Sequence, residues 1–242
     1  MSEYNEHINY YGALYSSPEL RRHVKYDEYI DKCVSVATRT LKLCSTDTVL
    51  DIGSGLGDTG KILSSRVNRV YCCDIDVANI ELGNRNINNI ENISYDQITA
   101  RPPFLSFIPD NHIDKAYAHN VFEYRPTEIL VTYLEELARV LKVGGMFHTV
   151  YSIRKTADHK PSHLEDIKGD IDSAIQTLNY DTIRNEEYIG NPKDIPQIGR
   201  LVYGVIPSRV DVGNYESLDA APLACWDAVT SLMAVEILIK KR

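Results

Sequence analysis

The sequence has few features of a secreted or membrane-spanning protein. Its five cysteines include no C-x-x-C pair, and an odd number cannot all pair with one another, so we expect reduced core cysteines and a cytoplasmic protein. No apolar run approaches the roughly 20 residues that a membrane-spanning helix needs. The first residues, MSEYNE, are polar and acidic, so we expect no signal peptide and no membrane partner.

Basic residues are fewer than acidic residues. Lys and Arg total 26 against 34 Asp and Glu, which gives a formal net charge of −8. Nucleic-acid-binding surfaces are basic, so we expect no nucleic acid partner. Among seven histidines, His159 and His163 stand four residues apart but lack a third ligand, and we expect no metal site. The length of 242 residues suits a single α/β domain over 1–242.

The most informative stretch is residues 49–58, with the sequence VLDIGSGLGD. An apolar run is followed by glycines at alternate positions, which predicts a buried strand, a turn and then a helix over Asp58–Arg66. Asp58 or Thr59 is expected to cap that helix. Glycine suits the turn because it accepts positive φ and lets a ligand approach the backbone closely.

Two nucleotide-type ligands fit this turn. As G-x-G-x-x-G from Gly55 to Gly60, it is the dinucleotide fingerprint of an NAD-dependent oxidoreductase, with a ribose-binding acid about 20 residues downstream. As D-x-G-x-G-x-G from Asp51, it resembles the first motif of the class I S-adenosylmethionine (SAM)-dependent methyltransferases. Asp51 suits the ammonium group of SAM, whereas the dinucleotide interpretation gives it no role.

A second strand, RVYCCDID at 69–76, ends in acids. The resemblance implies that Asp74 binds both ribose hydroxyls, since a carboxylate accepts two hydrogen bonds at once. The alternative is a plain strand-end acid or a helix cap. Members of the family often carry an adenine-binding acid after the third strand, predicted here at Ile93–Ile98. This sequence has Thr99 there, so Thr99 or the backbone of Ile98 and Ala100 is expected to bind adenine.

Residues 110–124 resemble the fourth strand of the family and its exit loop, which reads NVFEY at 120–124. Tyr124 stands where common members have a histidine. Ligands of open α/β sheets lie at the carboxyl ends of the strands, so this loop is expected near the transferable methyl group. His119 is the candidate general base, with Tyr11 or His148 as further candidates. The alternative is that His119 only packs against SAM or lines the loop.

The resemblance therefore implies a set of site residues. The expected cofactor-binding residues are Asp51, Gly53, Ser54, Gly55, Gly57, Asp74, Ile75, Ile98, Thr99, His119 and Asn120, and the expected catalytic residues are His119 and Tyr11. Residues 1–45 are expected to form a helical lid, with Tyr10 and Tyr11 facing the site or packing as part of an amphipathic arm. Residues 189–231, between the last two strands, are expected to form part of the acceptor pocket or a homodimer contact.

Further helices are predicted at 26–43, 77–89, 126–142 and 162–178, and further strands at 146–151, 180–188 and 232–241. The segment RVLKVGGM at 139–146 resembles a signature of the family that precedes its fifth strand, with Gly144 and Gly145 expected to end the helix. Asn179 is expected to take a left-handed conformation after the fifth helix.

The resemblance covers about residues 47–152 and implies an α/β, Rossmann-like fold. Its seven-stranded sheet would be mostly parallel, with an antiparallel last strand inserted beside the sixth and helices on both faces. The implied activity is methyl transfer from SAM to an oxygen or nitrogen atom of a small molecule by in-line displacement. Two alternatives stay open: a SAM-binding protein without methyl transfer, which Tyr124 and the missing adenine acid permit, and an NAD-dependent oxidoreductase.

Overall fold

A computed structural model describes residues 26–99, 101–119, 121–122, 127–154, 162–190 and 232–242. Its helices are α1 (Tyr26–Thr40), α2 (Asp58–Ser64), α3 (Val77–Asn86), α4 (Thr127–Val140) and α5 (Ser162–Thr177). Its strands are β1 (Thr48–Ile52), β2 (Arg69–Asp74), β3 (Ile93–Gln97), β4 (Ile113–Ala118), β5 (Leu141–Arg154), β6 (Tyr180–Gly190) and β7 (Leu232–Lys241). The predictions made on Tyr10, Tyr11, Asn120, Tyr124, His159, Cys225 and 191–231 lie outside the described residues.

The seven strands form one sheet in the order β3-β2-β1-β4-β5-β7-β6. The first five strands are parallel to one another, and β7 runs antiparallel to both of its neighbours, β5 and β6. The predicted fold class is therefore confirmed, including the antiparallel last strand inserted beside the sixth. Because the first five strands are parallel, their carboxyl ends meet at one edge of the sheet, where ligands of such folds bind.

Helices cover both faces of the sheet. One hydrophobic cluster joins α4 and α5 to the strands, and the other joins α1 and α2 to the opposite face. Adjacent residues of a strand point to opposite faces, and Cys72 and Cys73 of β2 accordingly lie in different clusters. Cys33, Cys72 and Cys73 are buried thiols, as predicted, but Cys44 is exposed and does not belong to the core.

Two local predictions were wrong. No side chain caps α2; its N-cap residue is Gly57 in the left-handed conformation. The glycines at 144 and 145 do not end a helix, because α4 ends at Val140 and the next residue, Leu141, already pairs with Ile113. Gly144 has a φ of +82°, and these glycines absorb the irregularity between two stretches of β4–β5 pairing. Asn179 is left-handed, with a φ of +61°, as predicted.

None of the described helices is long and apolar enough to cross a membrane.

Candidate active site

The glycine turn, residues 53–57, connects the end of β1 to α2. Its three glycines have φ values of +69°, +57° and +73°, in the region that side chains disfavour. The amides of Gly53 and Ser54 donate to the carbonyl of Cys73 at 2.8 and 3.0 Å, which ties the turn to β2. A methyl group at Gly53 would lie 2.5 Å from a side-chain carbon of Val121. Both conformation and space therefore require glycine at this position.

Asp74 ends β2 directly beside the glycine turn. One carboxylate oxygen accepts the amide of Gly55 and the other accepts the amide of Asp76, both at 2.9 Å. Burial raises the pKa of Asp74, while these backbone hydrogen bonds lower it. The side chain of Asn79 also donates to this carboxylate, which can still accept a hydroxyl group because each oxygen has two lone pairs. Asp76 instead caps α3, since its side chain accepts the amide of Ala78.

Tyr95 of β3 supports the glycine turn, a role that no signal in the sequence indicates. Its hydroxyl donates to the carbonyl of Gly55. Its ring fills the space beside two glycines, because a methyl group would lie 3.3 Å from the ring at Gly57 and 2.3 Å from it at Gly83. Burial raises the pKa of Tyr95, so the phenol remains a hydrogen-bond donor at neutral pH.

Asp58 connects the start of α2 to the two neighbouring helices. Its carboxylate accepts the hydroxyl of Tyr26 of α1 at 3.0 Å and the side-chain amide of Asn86 of α3 at 2.7 Å. Asn86 also donates to the carbonyl of Leu56 inside the glycine turn, at 3.0 Å. The turn is thus fixed by side chains from α2 and α3 as well as from β3.

The surroundings of the glycine turn are rich in carboxylates, namely Asp51, Asp58, Asp74 and Asp76. Asp51 is 3% exposed, and among the described residues one of its oxygens has no hydrogen-bond partner. Burial raises the pKa of Asp51 to about 7, against the opposing effect of the nearby Tyr117 hydroxyl. These groups fit SAM, which carries a sulfonium and an ammonium, better than a pyrophosphate, whose negative charges they would repel.

Two histidines lie together, His119 directly after the end of β4 and His148 in the middle of β5. The Nε2 atom of His119 is 3.2 Å from the Nδ1 atom of His148, and the His119 ring packs 4.9 Å from the ring of Tyr117. Burial lowers the pKa of His119 well below its ordinary value, and His148 adds to this effect. His119 is therefore neutral near pH 7 and able to accept a proton.

The residues predicted to hold adenine follow β2 and β3. Ile98 is buried and its amide already donates to the carbonyl of Asp74 at 2.8 Å. Ile75 is half-buried and packs against the same core. Thr99 is exposed, and its hydroxyl faces the carbonyls of Arg101 and Pro103 at 2.6 and 2.9 Å. The single hydroxyl proton is thereby used, but the Thr99 oxygen can still accept a hydrogen bond.

The structure thus gathers most of the predicted site residues at one edge of the sheet, with the glycine turn after β1, Asp74 after β2 and His119 after β4, and these three strands are neighbours. No group of three metal-ligating His, Cys, Asp or Glu side chains occurs within the part of the chain that the structure describes.

Comparison with known proteins agrees with this geometry. Residues 49–145 match the family model described as a methyltransferase domain. Geranyl diphosphate C-methyltransferase from Streptomyces coelicolor A3(2) superposes with a TM-score of 0.62 at 14% identity, over 93% of this chain and 86% of that chain. The YcgJ protein of Bacillus subtilis superposes with a TM-score of 0.53 at 18% identity, over 89% of this chain and 99% of that chain. The cyclase SpnF superposes with a TM-score of 0.59 at 14% identity, over 87% of this chain and 81% of that chain.

At these identities the structural likeness establishes the fold, and the family model establishes the type of domain. Residues 49–145 are a methyltransferase domain, and the fold is that of the class I SAM-dependent methyltransferases. The protein is an enzyme, and its cofactor is SAM. The match includes the glycine turn and Asp74, which favours the interpretation of these residues as a SAM site over the dinucleotide alternative.

Proposed function

We propose that the enzyme transfers the methyl group of SAM to an oxygen or nitrogen atom of a small-molecule acceptor. The observation that carries this proposal is the neutral, half-buried imidazole of His119 directly after β4, beside the expected position of the methyl group. The net charge of −8 makes a nucleic acid acceptor unfavourable. The similar geranyl diphosphate C-methyltransferase is named for a small acceptor, which supports a small-molecule acceptor here but not the kind of atom that is methylated.

The glycine turn and the acids around it would bind the cofactor. Asp51 would stabilise the ammonium group through its unpartnered oxygen, while Gly53, Ser54, Gly55 and Gly57 would shape the space for the methionine part. Asp74 would accept both ribose hydroxyls. Ile75, Ile98 and Thr99 would border the adenine, and Asn120 would lie near the methionine part.

When bound, SAM supplies a methyl group on a positively charged sulfur that is ready for displacement. The residues of the chain would then provide alignment and exclude water. For a hydroxyl acceptor, His119 would take the proton as the new bond forms. An amine need only arrive unprotonated, so His119 would be dispensable for a nitrogen acceptor. The kind of acceptor thus determines how much His119 matters.

Calorimetric titration with S-adenosylhomocysteine tests the cofactor site. We expect micromolar binding that Asp74→Ala weakens at least tenfold, or about 1.4 kcal/mol. Asp96→Ala, at a half-buried acid of the neighbouring strand β3, is the matched control and should stay within about twofold of the wild type. Failure of the wild type to bind, or tight binding of NADH instead, would overturn the proposed site.

A cofactor analogue that lacks one ribose hydroxyl separates the two roles of Asp74, because this residue also anchors the amide of Gly55. Removing the 2′-hydroxyl of S-adenosylhomocysteine should weaken binding to the wild type but have much less effect on binding to Asp74→Ala. Equal losses in both proteins would mean that Asp74 acts only by anchoring the turn.

The acceptor is tested by following S-adenosylhomocysteine formation with panels of hydroxyl and amine compounds. His119→Asn should lower turnover of a hydroxyl acceptor by about 10²- to 10⁴-fold, the usual contribution of a general base, and leave cofactor binding unchanged. If the protein binds the cofactor but methylates no acceptor, the alternative of a SAM-binding protein without methyl transfer is favoured.

We also propose a cytoplasmic, single-domain enzyme over 1–242, in which residues 1–45 act as a lid and residues 189–231 contribute to the acceptor pocket or to a homodimer. Sedimentation analysis of the full chain and of a chain lacking 191–231 would distinguish these roles. Loss of dimerisation with unchanged acceptor affinity would assign the insert to the interface.

A further inference from the structure

The contact between His119 and His148 indicates which of their ring nitrogens carry hydrogen atoms. His148 lies on β5 opposite Tyr117 and is completely buried. Its Nδ1 atom is 3.2 Å from Nε2 of His119, so one ring donates a hydrogen bond and the other accepts it. Two arrangements of the neutral pair are possible, and they differ in which nitrogen of His119 carries the hydrogen.

The second nitrogen of His119 distinguishes these arrangements. Among the described residues, the buried Nδ1 atom has no hydrogen-bond partner. If His148 were the donor, His119 would carry its hydrogen on Nδ1, as a buried N–H group without an acceptor. Such orphaned donors are rare, because burying an N–H group without an acceptor is unfavourable. An unpaired acceptor is tolerated more readily, which favours His119 as the donor through Nε2.

We propose that His148 is a positioning residue that keeps His119 in the Nε2–H tautomer and thereby leaves Nδ1 as the nitrogen that accepts the proton. The ring of Tyr117, 4.9 Å away on the same side of the sheet, limits rotation of the His119 ring. The lowered pKa of His119 agrees with a neutral pair. This inference rests on the proposed role of His119 as the base for a hydroxyl acceptor.

The proton balance of the reaction follows from this tautomer. The O–H bond of the acceptor breaks and an Nδ1–H bond forms on His119. The acceptor oxygen bonds to the methyl carbon, and the electron pair of the broken S–C bond goes to the sulfur, which gives S-adenosylhomocysteine. His119 is then a cation that still donates from Nε2 to the neutral His148. The proton later passes to solvent.

Long-range ¹H–¹⁵N spectra of the full chain with labelled histidine, bound to S-adenosylhomocysteine, report the tautomer directly. Signals of His119 are assigned with the His119→Gln variant. The matched variants are His148→Asn, whose carbonyl oxygen can accept in place of Nδ1, and His148→Leu, which cannot accept. We expect a single Nε2–H tautomer in the wild type and in His148→Asn. In His148→Leu, the ratio of Nε2–H to Nδ1–H should fall at least about tenfold.

A wild-type His119 with its hydrogen on Nδ1 would overturn the proposal, as would an unchanged ratio in His148→Leu. If His148→Leu does not fold, the wild type and His148→Asn still decide the outcome, since both must show Nε2–H. Turnover is a separate measurement. The expected tautomer together with the lack of any methylated hydroxyl compound would refute the role of His119 as the base but not its tautomer.

Discussion

At the scale of single residues, the glycine turn depends on the hydroxyl of Tyr95. Tyr95→Phe removes this donor and leaves the ring packed against Gly57 and Gly83. The carbonyl of Gly55 then loses its partner, which should lower the free energy of unfolding by about 1–2 kcal/mol. Since the turn is also part of the proposed cofactor site, we expect binding of S-adenosylhomocysteine to weaken by about three- to tenfold in calorimetric titration.

Tyr180→Phe is the matched control for this prediction. Tyr180 is also buried and donates to a backbone carbonyl, that of Leu134, at 2.9 Å, but it belongs to the cluster with α4 and α5. A similar loss of stability with unchanged cofactor affinity is expected. If both variants bind S-adenosylhomocysteine equally well, Tyr95 supports the fold and not the site.

The glycine turn could be predicted from the spacing of its glycines, and its role from the family resemblance, whereas its supporting contacts could not be predicted. The hydroxyl of Tyr95 and the carbonyl of Gly55 are 40 residues apart, and Asn86 reaches Leu56 across 30 residues. Such pairs arise only when β3 and α3 pack beside the turn. The pairing of His119 with His148 likewise follows from the β4–β5 register, which a single sequence does not specify.

At the scale of elements, close packing of α2 on β2 depends on Gly60. A methyl group there would lie 2.4 Å from the sulfur of Cys72, so Gly60→Ala should lower the free energy of unfolding by about 1–3 kcal/mol through overpacking. The glycine of α5, Gly169, has nothing within 4 Å of such a methyl group. Gly169→Ala should raise stability by about 0.5–1 kcal/mol, as expected in a helix.

Urea unfolding of both variants, followed by circular dichroism, measures these changes. Equal effects at the two helical glycines would show that helix propensity, and not the space between α2 and β2, determines the cost at Gly60.

Element types were well predicted from hydrophobic periodicity, but some of their ends were not. A helix that passes directly into a strand, as α4 does into β5 at Leu141, offers no turn residue to mark the boundary. The left-handed Gly57 before α2 replaces the expected side-chain cap because the carboxylate of Asp58 is already bound to Tyr26 and Asn86. Tyr26 and Asn86 reach that carboxylate only in the folded protein, so the sequence alone does not indicate that it is already bound.

At the scale of the whole molecule, the buried carboxyl of Asp51 should make stability depend on pH. Its pKa is about 7 in the folded protein against an ordinary value of 3.8, so the folded state binds more protons than the unfolded state between these values. The free energy of unfolding therefore falls as pH rises from about 4 to about 7 and then levels off. The difference between the two pKa values corresponds to about 4 kcal/mol.

Asp51→Asn removes this titration while keeping the size of the side chain. The stability of the variant relative to the wild type should increase across this pH range, by at most about 4 kcal/mol, in urea unfolding at a series of pH values. The difference in the free energy of unfolding between the variant and the wild type removes the contribution of other titrating groups, such as Asp74, whose pKa is also raised. A difference that does not change with pH would contradict a buried, titrating Asp51.

The position of β7 between β5 and β6 affects how the protein can form during synthesis. β6 pairs only with β7 among the described strands, and residues 191–231 separate them in the chain. A growing chain can therefore pair β3, β2, β1, β4 and β5 on the ribosome, with the glycine turn and Asp74 already in place. The edge of β5 stays open until residues 232–241 emerge, and open edges favour wrong pairing. The proposed SAM site is thus expected to form before β7 covers the edge of β5, while the nascent protein can still aggregate through that edge.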